Sequence, residues 1–192
     1  TNMQLRVRVL ANTGTEEPLL DNIRISGSPA CTDPTIPTIT QSPATVCVGG
    51  TASLNISGTL NDATAWHVYT GSCGGTSIGS TATGTFFIPG TINTPTTYFV
   101  RGEGGCVTPG SCGQITITPQ AADDASFSYS AGSYCVNDAD PTPTVTGLGG
   151  GGFTSTPGLT LNPGTGLIDV STSTPGTYTV TYTTTGTCPN SS

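Results

Sequence analysis

An all-β fold is what this sequence predicts, on three observations: residues that build long helices are scarce, residues that suit pleated strands are abundant, and apolar side chains alternate with polar ones over short runs. Charged residues make up 8% of the chain and lysine is absent, whereas an average soluble domain carries roughly 25% charged residues. In place of Leu, Ala, Glu and Lys stand 39 Thr, 27 Gly and 15 Pro, which disfavour long helices and punctuate the chain with turns. Disorder of the ordinary kind needs high net charge and few β-branched or aromatic residues, and here Thr, Val, Ile, Tyr and Phe recur at alternate positions instead. The net charge of −7 removes the phosphate-binding term on which nucleic-acid association depends, and leaves no basic patch for anionic lipid. With no apolar run of membrane-spanning length, neither nucleic acid nor membrane insertion is expected.

Residues 1–28 read as a β-hairpin. Met3, Leu5, Val7 and Val9 alternate with Gln4, Arg6 and Arg8, which sets an apolar face against a guanidinium face. Asn12 to Thr15 supply a turn, and Leu20, Ile23 and Ile25 form a second apolar run. Two strands alone are marginal in water, so the hairpin must lean on a preceding or partner domain. Residues 29–43, with Pro29, Pro34, Pro37 and Pro43, read as a stiff extended linker.

Residues 44–119 show the spacing of a sandwich, with short alternating strands between turn signals. The strands are expected at Ala52 to Ile56, Trp66 to Tyr69, Thr85 to Ile88, Thr96 to Arg101 and Gln114 to Thr118. Residues 120–192 repeat the plan with Phe127 and Tyr129, Val145, Leu159 and Leu161, Ile168 and Val170, then Tyr178, Val180 and Tyr182. The stretch Thr94-Pro95-Thr96-Thr97-Tyr98 matches Thr174-Pro175-Gly176-Thr177-Tyr178 at an offset of 80, as expected of two domains of one type.

The run Gly158-Leu159-Thr160-Leu161-Asn162-Pro163-Gly164-Thr165-Gly166-Leu167-Ile168, followed by Thr174 to Val180, resembles the cadherin-like and Ig-like repeats of bacterial surface proteins. Val46-Cys47-Val48-Gly49-Gly50, Ala65 to Gly75 and Thr97 to Arg101 resemble the Ig-like modules of large secreted proteins of Bacteroidota, a phylum that exports many such proteins by type IX secretion. Asp21-Asn22-Ile23-Arg24-Ile25 is similar to the last strand of a jelly-roll domain. The resemblance implies tandem Ig-like sandwiches acting as spacers, adhesive units or fibre units on a cell surface.

Seven cysteines at 31, 47, 73, 106, 112, 135 and 188 lack the paired spacing of a zinc knuckle and point to disulfides, hence to a secreted, oxidising setting. In an Ig-like sandwich the start of strand B and the end of strand C share an end, which implies Cys47 with Cys73. The same resemblance implies Cys106 with Cys112 across one hairpin and Cys135 with Cys188 in the second domain, leaving Cys31 unpaired. Other connectivities stay open.

Candidates for chemistry are few. His67, the sole histidine, lies beside Trp66 on an alternating strand and is expected to face outward. No nucleophile-elbow motif accompanies it. Gly149 to Gly152 precede no helix, so they form a turn or a close backbone approach rather than a phosphate loop. No catalytic residue or cofactor is expected. Asp123, Asp124, Asp138 and Asp140 are calcium candidates by analogy with cadherin-like arrays, against the plainer reading of solvated loop carboxylates. Tyr69 and Phe99 are candidates for a sugar-stacking platform, against the plainer reading of scattered surface aromatics.

The chain begins in an expected strand and ends soon after the strand at Tyr178 to Thr185, so it is expected to be a processed product or a fragment. The second domain is expected to lack its last strand, which exposes an edge that invites another strand. Met3, Leu5, Val7 and Val9 on one copy, and Tyr178, Val180 and Tyr182 on the next, are the assembly candidates for a head-to-tail filament. In the competing explanation both deficits are filled in cis within a longer polypeptide. The expected function is an extracellular structural or adhesive surface protein, not an enzyme, whose partners are its own copies, neighbouring modules, or surface and glycan ligands. The alternative is a set of accessory polysaccharide-binding or spacer modules of a larger secreted hydrolase.

Overall fold

The computed structural model describes residues 30–192, so the expected hairpin, with Met3, Leu5, Val7 and Val9, lies outside the described residues. Residues Cys31–Ser192 form one compact unit, and every regular element in it is a strand: β1 (Thr38–Ser42), β2 (Ser53–Ser57), β3 (Ala65–Thr70), β4 (Thr76–Thr81), β5 (Thr85–Phe87), β6 (Thr96–Glu103), β7 (Gly113–Ile117), β8 (Phe127–Ser128), β9 (Thr144–Val145), β10 (Gly152–Ser155), β11 (Thr160–Leu161), β12 (Ile168–Asp169) and β13 (Val180–Thr183).

The first seven strands build a sandwich. One sheet has the order β1-β2-β5 and the other β4-β3-β6-β7, all pairs antiparallel. Alternation in the sequence decides the faces: Leu54 and Ile56 of β2, Trp66 and Val68 of β3, Tyr98 and Val100 of β6 and Ile117 of β7 all turn inward onto one core with Val46, Phe86, Ile88 and Ile92. Leu54, Val68, Val100 and Ile117 are fully buried, each contributing about 2 kcal/mol of transfer free energy.

Two elements depart from the expected plan. The proline-bearing stretch 29–43 is not a linker, because Thr38–Ser42 pairs with Ser53–Ser57 over five residues as the sandwich's first strand. Pro37 and Pro43 lie just outside the paired residues, where no ladder donor is needed. Upstream of it the chain already runs along the sandwich: Thr35 N donates to Thr59 O at 3.0 Å and Thr32 N to Asp62 Oδ2 at 2.7 Å. The strand β4, which no apolar alternation announces, pairs with β3 through a bulge between Val68 and Tyr69.

The second half, from Ala125 onward, is thinner. Its pairs are β8 with β9, β10 with β13 and β11 with β12, and its buried cluster is Ala125, Phe153 and Tyr182, with Phe127, Val145, Leu161 and Val180 packed against it. Aromatic rings do most of the filling: Phe127 meets Phe153 edge-on at 5.4 Å, and Phe153 lies 4.6 Å from Tyr182. The glycine run is a close approach as well as a turn. Gly150 takes φ +83°, and a Cβ on Gly151 would strike the Thr183 carbonyl and the Tyr182 ring. There the Tyr182 hydroxyl accepts from Gly151 N at 2.8 Å and donates to Leu148 O at 2.7 Å.

The expectation of a bare edge on the last strand is corrected in part. Tyr182 N and O both bond to Ser192 at 3.1 Å, and Thr184 N donates to Asn190 O at 2.9 Å. The tail turns back at Gly186 to Pro189 and lies antiparallel beside β13. Tyr182 is therefore no longer an assembly residue, since its ring is 1% exposed in the core and its backbone is paired.

Candidate functional site

Three disulfides organise the unit, and none is a pair expected from the resemblance. Cys31 bonds Cys106, Cys47 bonds Cys188 and Cys73 bonds Cys112, while Cys135 is free and exposed. The differences have one origin: the proline-bearing segment belongs to the first sandwich, and the two halves share a covalent bond instead of forming separate closed sets. Because residues 31–35 run beside the loop between β2 and β3, Cys31 reaches the loop that follows β6, where Cys106 stands. Cys47 then has no partner within its own sandwich and crosses to Cys188.

That crossing lies in a junction built from three chain segments. Val48 N donates to Gln120 O at 2.9 Å and Gln120 N to Val46 O at 2.8 Å, so the segment leaving the first sandwich is paired to the residues flanking Cys47. Asp123 N donates to Cys188 O at 2.7 Å, the Thr184 hydroxyl donates to Asp123 Oδ2 at 3.1 Å and Asn190 Nδ2 donates to Asp123 O at 3.1 Å. Cys188 is 1% exposed. A covalent bond spanning 141 residues thus sits in the hydrogen-bonded seam between the two halves.

The calcium candidates are placed apart in their roles. Asp123 serves that seam. Asp124 Oδ1 accepts from Ser126 N at 2.9 Å and from Ser126 Oγ at 2.5 Å, and these bonds hold its carboxyl below the ordinary range. Asp138 Oδ2 accepts from Cys135 N at 2.6 Å and Asp140 Oδ1 from Val170 N at 3.0 Å. Among the described residues no three His, Cys, Asp or Glu converge as a metal site; Asp124 and Asp138 close local turns, as short acidic side chains do, and Asp123 and Asp140 tie segments far apart in the chain.

On the outward face of β3 and β6, Tyr69 stands opposite Phe99 and His67 opposite Arg101. The sugar-platform expectation fails for Tyr69, which is 7% exposed: the Arg101 guanidinium lies 5.4 Å from its ring centroid and covers it. Glu103 Oε1 accepts from the Tyr69 hydroxyl at 2.5 Å and from Arg101 Nε at 2.6 Å. Burial works against the Glu103 carboxylate, yet the bonds from Tyr69 and Arg101 together with the Arg101 charge hold it below its ordinary value. The ion pair in turn holds the Arg101 guanidinium above its ordinary value. His67, half-buried, stacks near Tyr69 at 6.5 Å. The cluster braces strands and satisfies itself.

A depressed carboxyl contributes stability at pH values above its unfolded range and loses it as pH falls through the folded value. The wild-type melting temperature is therefore expected to drop more steeply than that of Glu103→Gln below about pH 4.3, measured by circular dichroism from pH 7 to pH 2. Parallel acid limbs for the two proteins would contradict the assignment.

The concave feature of the second half is a groove of about 560 Å³ lined by Phe127, Tyr129, Tyr134, Ile168, Val170, Tyr178 and Val180 among others. Tyr178 and Val180, two of the assembly candidates, are thus brought together with aromatic residues that the assembly reading had not singled out, Phe127 and Tyr129. Their alternation marked them as strand residues; that they face a groove depends on how β8 and β13 lie relative to each other.

Comparison with curated proteins finds no match for the chain. Residues 34–119 match a family model described as Ig-like domain CHU_C associated, and the matched span starts at the segment that leads into β1. The Ig-like family and the three disulfides are consistent with an extracellular or cell-surface protein. Over residues 34–119 the seven-strand sandwich with Trp66 buried on its third strand is thus similar to the CHU_C-associated Ig-like domain family.

Proposed function

We propose that this protein is an extracellular structural or adhesive unit of a cell-surface array, one that holds position and passes on tension and transforms no substrate, with copies joined end to end by strand sharing. The observation that carries the reading is the Cys47–Cys188 bond: it fuses two sandwiches into one covalently closed block, a device with mechanical rather than chemical use. Its three disulfides persist only in an oxidising compartment, which supports export, and the likeness to Bacteroidota surface modules supports a route such as type IX secretion.

Electron microscopy and sedimentation of the oxidised chain across a concentration series test the array. Particles that lengthen with concentration at constant width are the expected result; a single particle size at every concentration defeats it. Tight binding on a glycan array by the particles would instead favour accessory modules of a secreted hydrolase.

A further inference from the structure

Residues 30–192 carry one Arg and no Lys, and that single guanidinium lies against a disulfide. Arg101 Nε donates to Glu103 Oε1 at 2.6 Å, which leaves Nη1 at 3.8 Å from Cys73 Sγ. Glycine makes the approach possible: Gly74 takes φ +76° in the turn after β3, and a Cβ there would lie 2.9 Å from Arg101 Nη2. Gly75 N donates to Ser72 O at 2.9 Å, which closes the turn and fixes Cys73 beside the guanidinium. The three disulfides differ in their surroundings. Cys188 of the junction bond is 1% exposed, and its burial shields that bond from solutes. Cys31, Cys106 and Cys73 are exposed and Cys112 is half-buried. Among the described residues, only the Cys73–Cys112 bond has a guanidinium at one of its sulfurs.

We infer that Cys73–Cys112 is a thiol-exchange site, at which a low-molecular-weight thiolate becomes attached to Cys112. The incoming sulfur bonds to Cys112 Sγ as the Cys73–Cys112 bond breaks, and the electron pair of the broken bond leaves with Cys73 as a thiolate. One disulfide is consumed and one is made, so no oxidant enters. Exchange is faster when the departing sulfur bears its charge more easily, and a neighbouring Arg is one of the groups that stabilise a thiolate. Here the guanidinium touches Cys73. Access alone favours attack on Cys73, the more exposed sulfur, but exchange is reversible, and the isomer that keeps the Cys73 thiolate beside Arg101 prevails at equilibrium. In that product an ion pair stands where the bond stood, and the adduct sits on the residue that precedes β7. The unit thus gains a covalent attachment point while the Cys47–Cys188 block stays closed.

Reduced glutathione, applied to the full-length oxidised chain carrying Cys135→Ser, tests the inference. Samples are quenched in acid at intervals, free thiols are capped with a maleimide, and each cysteine is assigned by peptide mass spectrometry. Cys73–Cys112 is expected to open at least about tenfold faster than Cys31–Cys106, with glutathione on Cys112 and the maleimide on Cys73 in the early samples. Arg101→Gln should slow that opening by about three- to tenfold. A guanidinium that only braced the strands would give the opposite sign, because its loss loosens the turn and speeds exchange. If Arg101→Gln does not fold, the position of the adduct on the two sulfurs of the parent chain decides by itself. Opening of Cys31–Cys106 at an equal or greater rate overturns the inference. So does glutathione found mainly on Cys73, or an Arg101→Gln rate that matches or exceeds the parent's.

Discussion

Pulled between Cys31 and Cys188, the oxidised protein is expected to lengthen by no more than about 60 Å of contour, because the Cys47–Cys188 bond leaves only the stretch from Cys31 to Cys47 under load at roughly 3.6 Å per residue. Everything from Val48 to Thr187 lies inside a closed loop that carries no tension. Full reduction opens the whole path and should release about 560 Å by the same arithmetic. The double variant Cys47→Ser with Cys188→Ser gives an intermediate result, about 300 Å, since Cys31–Cys106 then becomes the shortcut. Single-molecule force spectroscopy with handles at Ala30 and Ser192 reads all three lengths. Equal release with and without reductant would rule out the pairing, and with it the view of the block as an inextensible spacer.

Trp66→Ala is expected to cost about 3–5 kcal/mol, the largest single-residue loss in the first sandwich. Trp66 is 3% exposed at the centre of a core it shares with Leu54, Val68 and Val100. The backbone closes tightly over it: a Cβ on Gly58 would lie 3.1 Å from its ring. The packed surroundings have little room to collapse into the void. Oxidised protein should show a melting temperature lower by about 10 °C, followed by circular dichroism, whereas the exposed Thr85→Ala should stay within about 0.5 kcal/mol of wild type. A loss below 1 kcal/mol at Trp66 would mean that the ring is not the core's organising residue.

Much of the first sandwich was legible because burial there follows strict alternation. The runs around Leu54, Trp66, Tyr98 and Ile117 each put one face inward, and the period of two is visible in the residues themselves. The segment Thr38–Ser42 was missed because flanking prolines outweighed a modest alternation centred on Ile39, which is only half-buried. Strand β4 was missed for a related reason: Thr76–Thr81 carries a single large apolar residue, Ile78, and its pairing depends on the neighbouring β3. Gly152–Ser155 looked like a glycine turn because Phe153 alone announces the strand. In the candidate site, Val180 and Tyr178 were visible as strand residues, whereas Phe127 and Tyr129 gained their place only through the position of the opposite strand.

The local chemistry of the chain determined that it is built of strands, where most of them lie, that it is stapled by oxidised cysteines, and that it carries almost no charge with which to hold nucleic acid. Those properties are set by near neighbours in the sequence: side-chain shape, alternation and turn residues. Only the tertiary structure decided which sulfur meets which, that Cys47 reaches across 141 residues to Cys188, that Arg101 lids Tyr69, and that Val180 lines a groove with Phe127 and Tyr129. Each of these depends on the approach of segments far apart in the chain, and a distance between such segments is a property of the packed whole that no local pattern encodes.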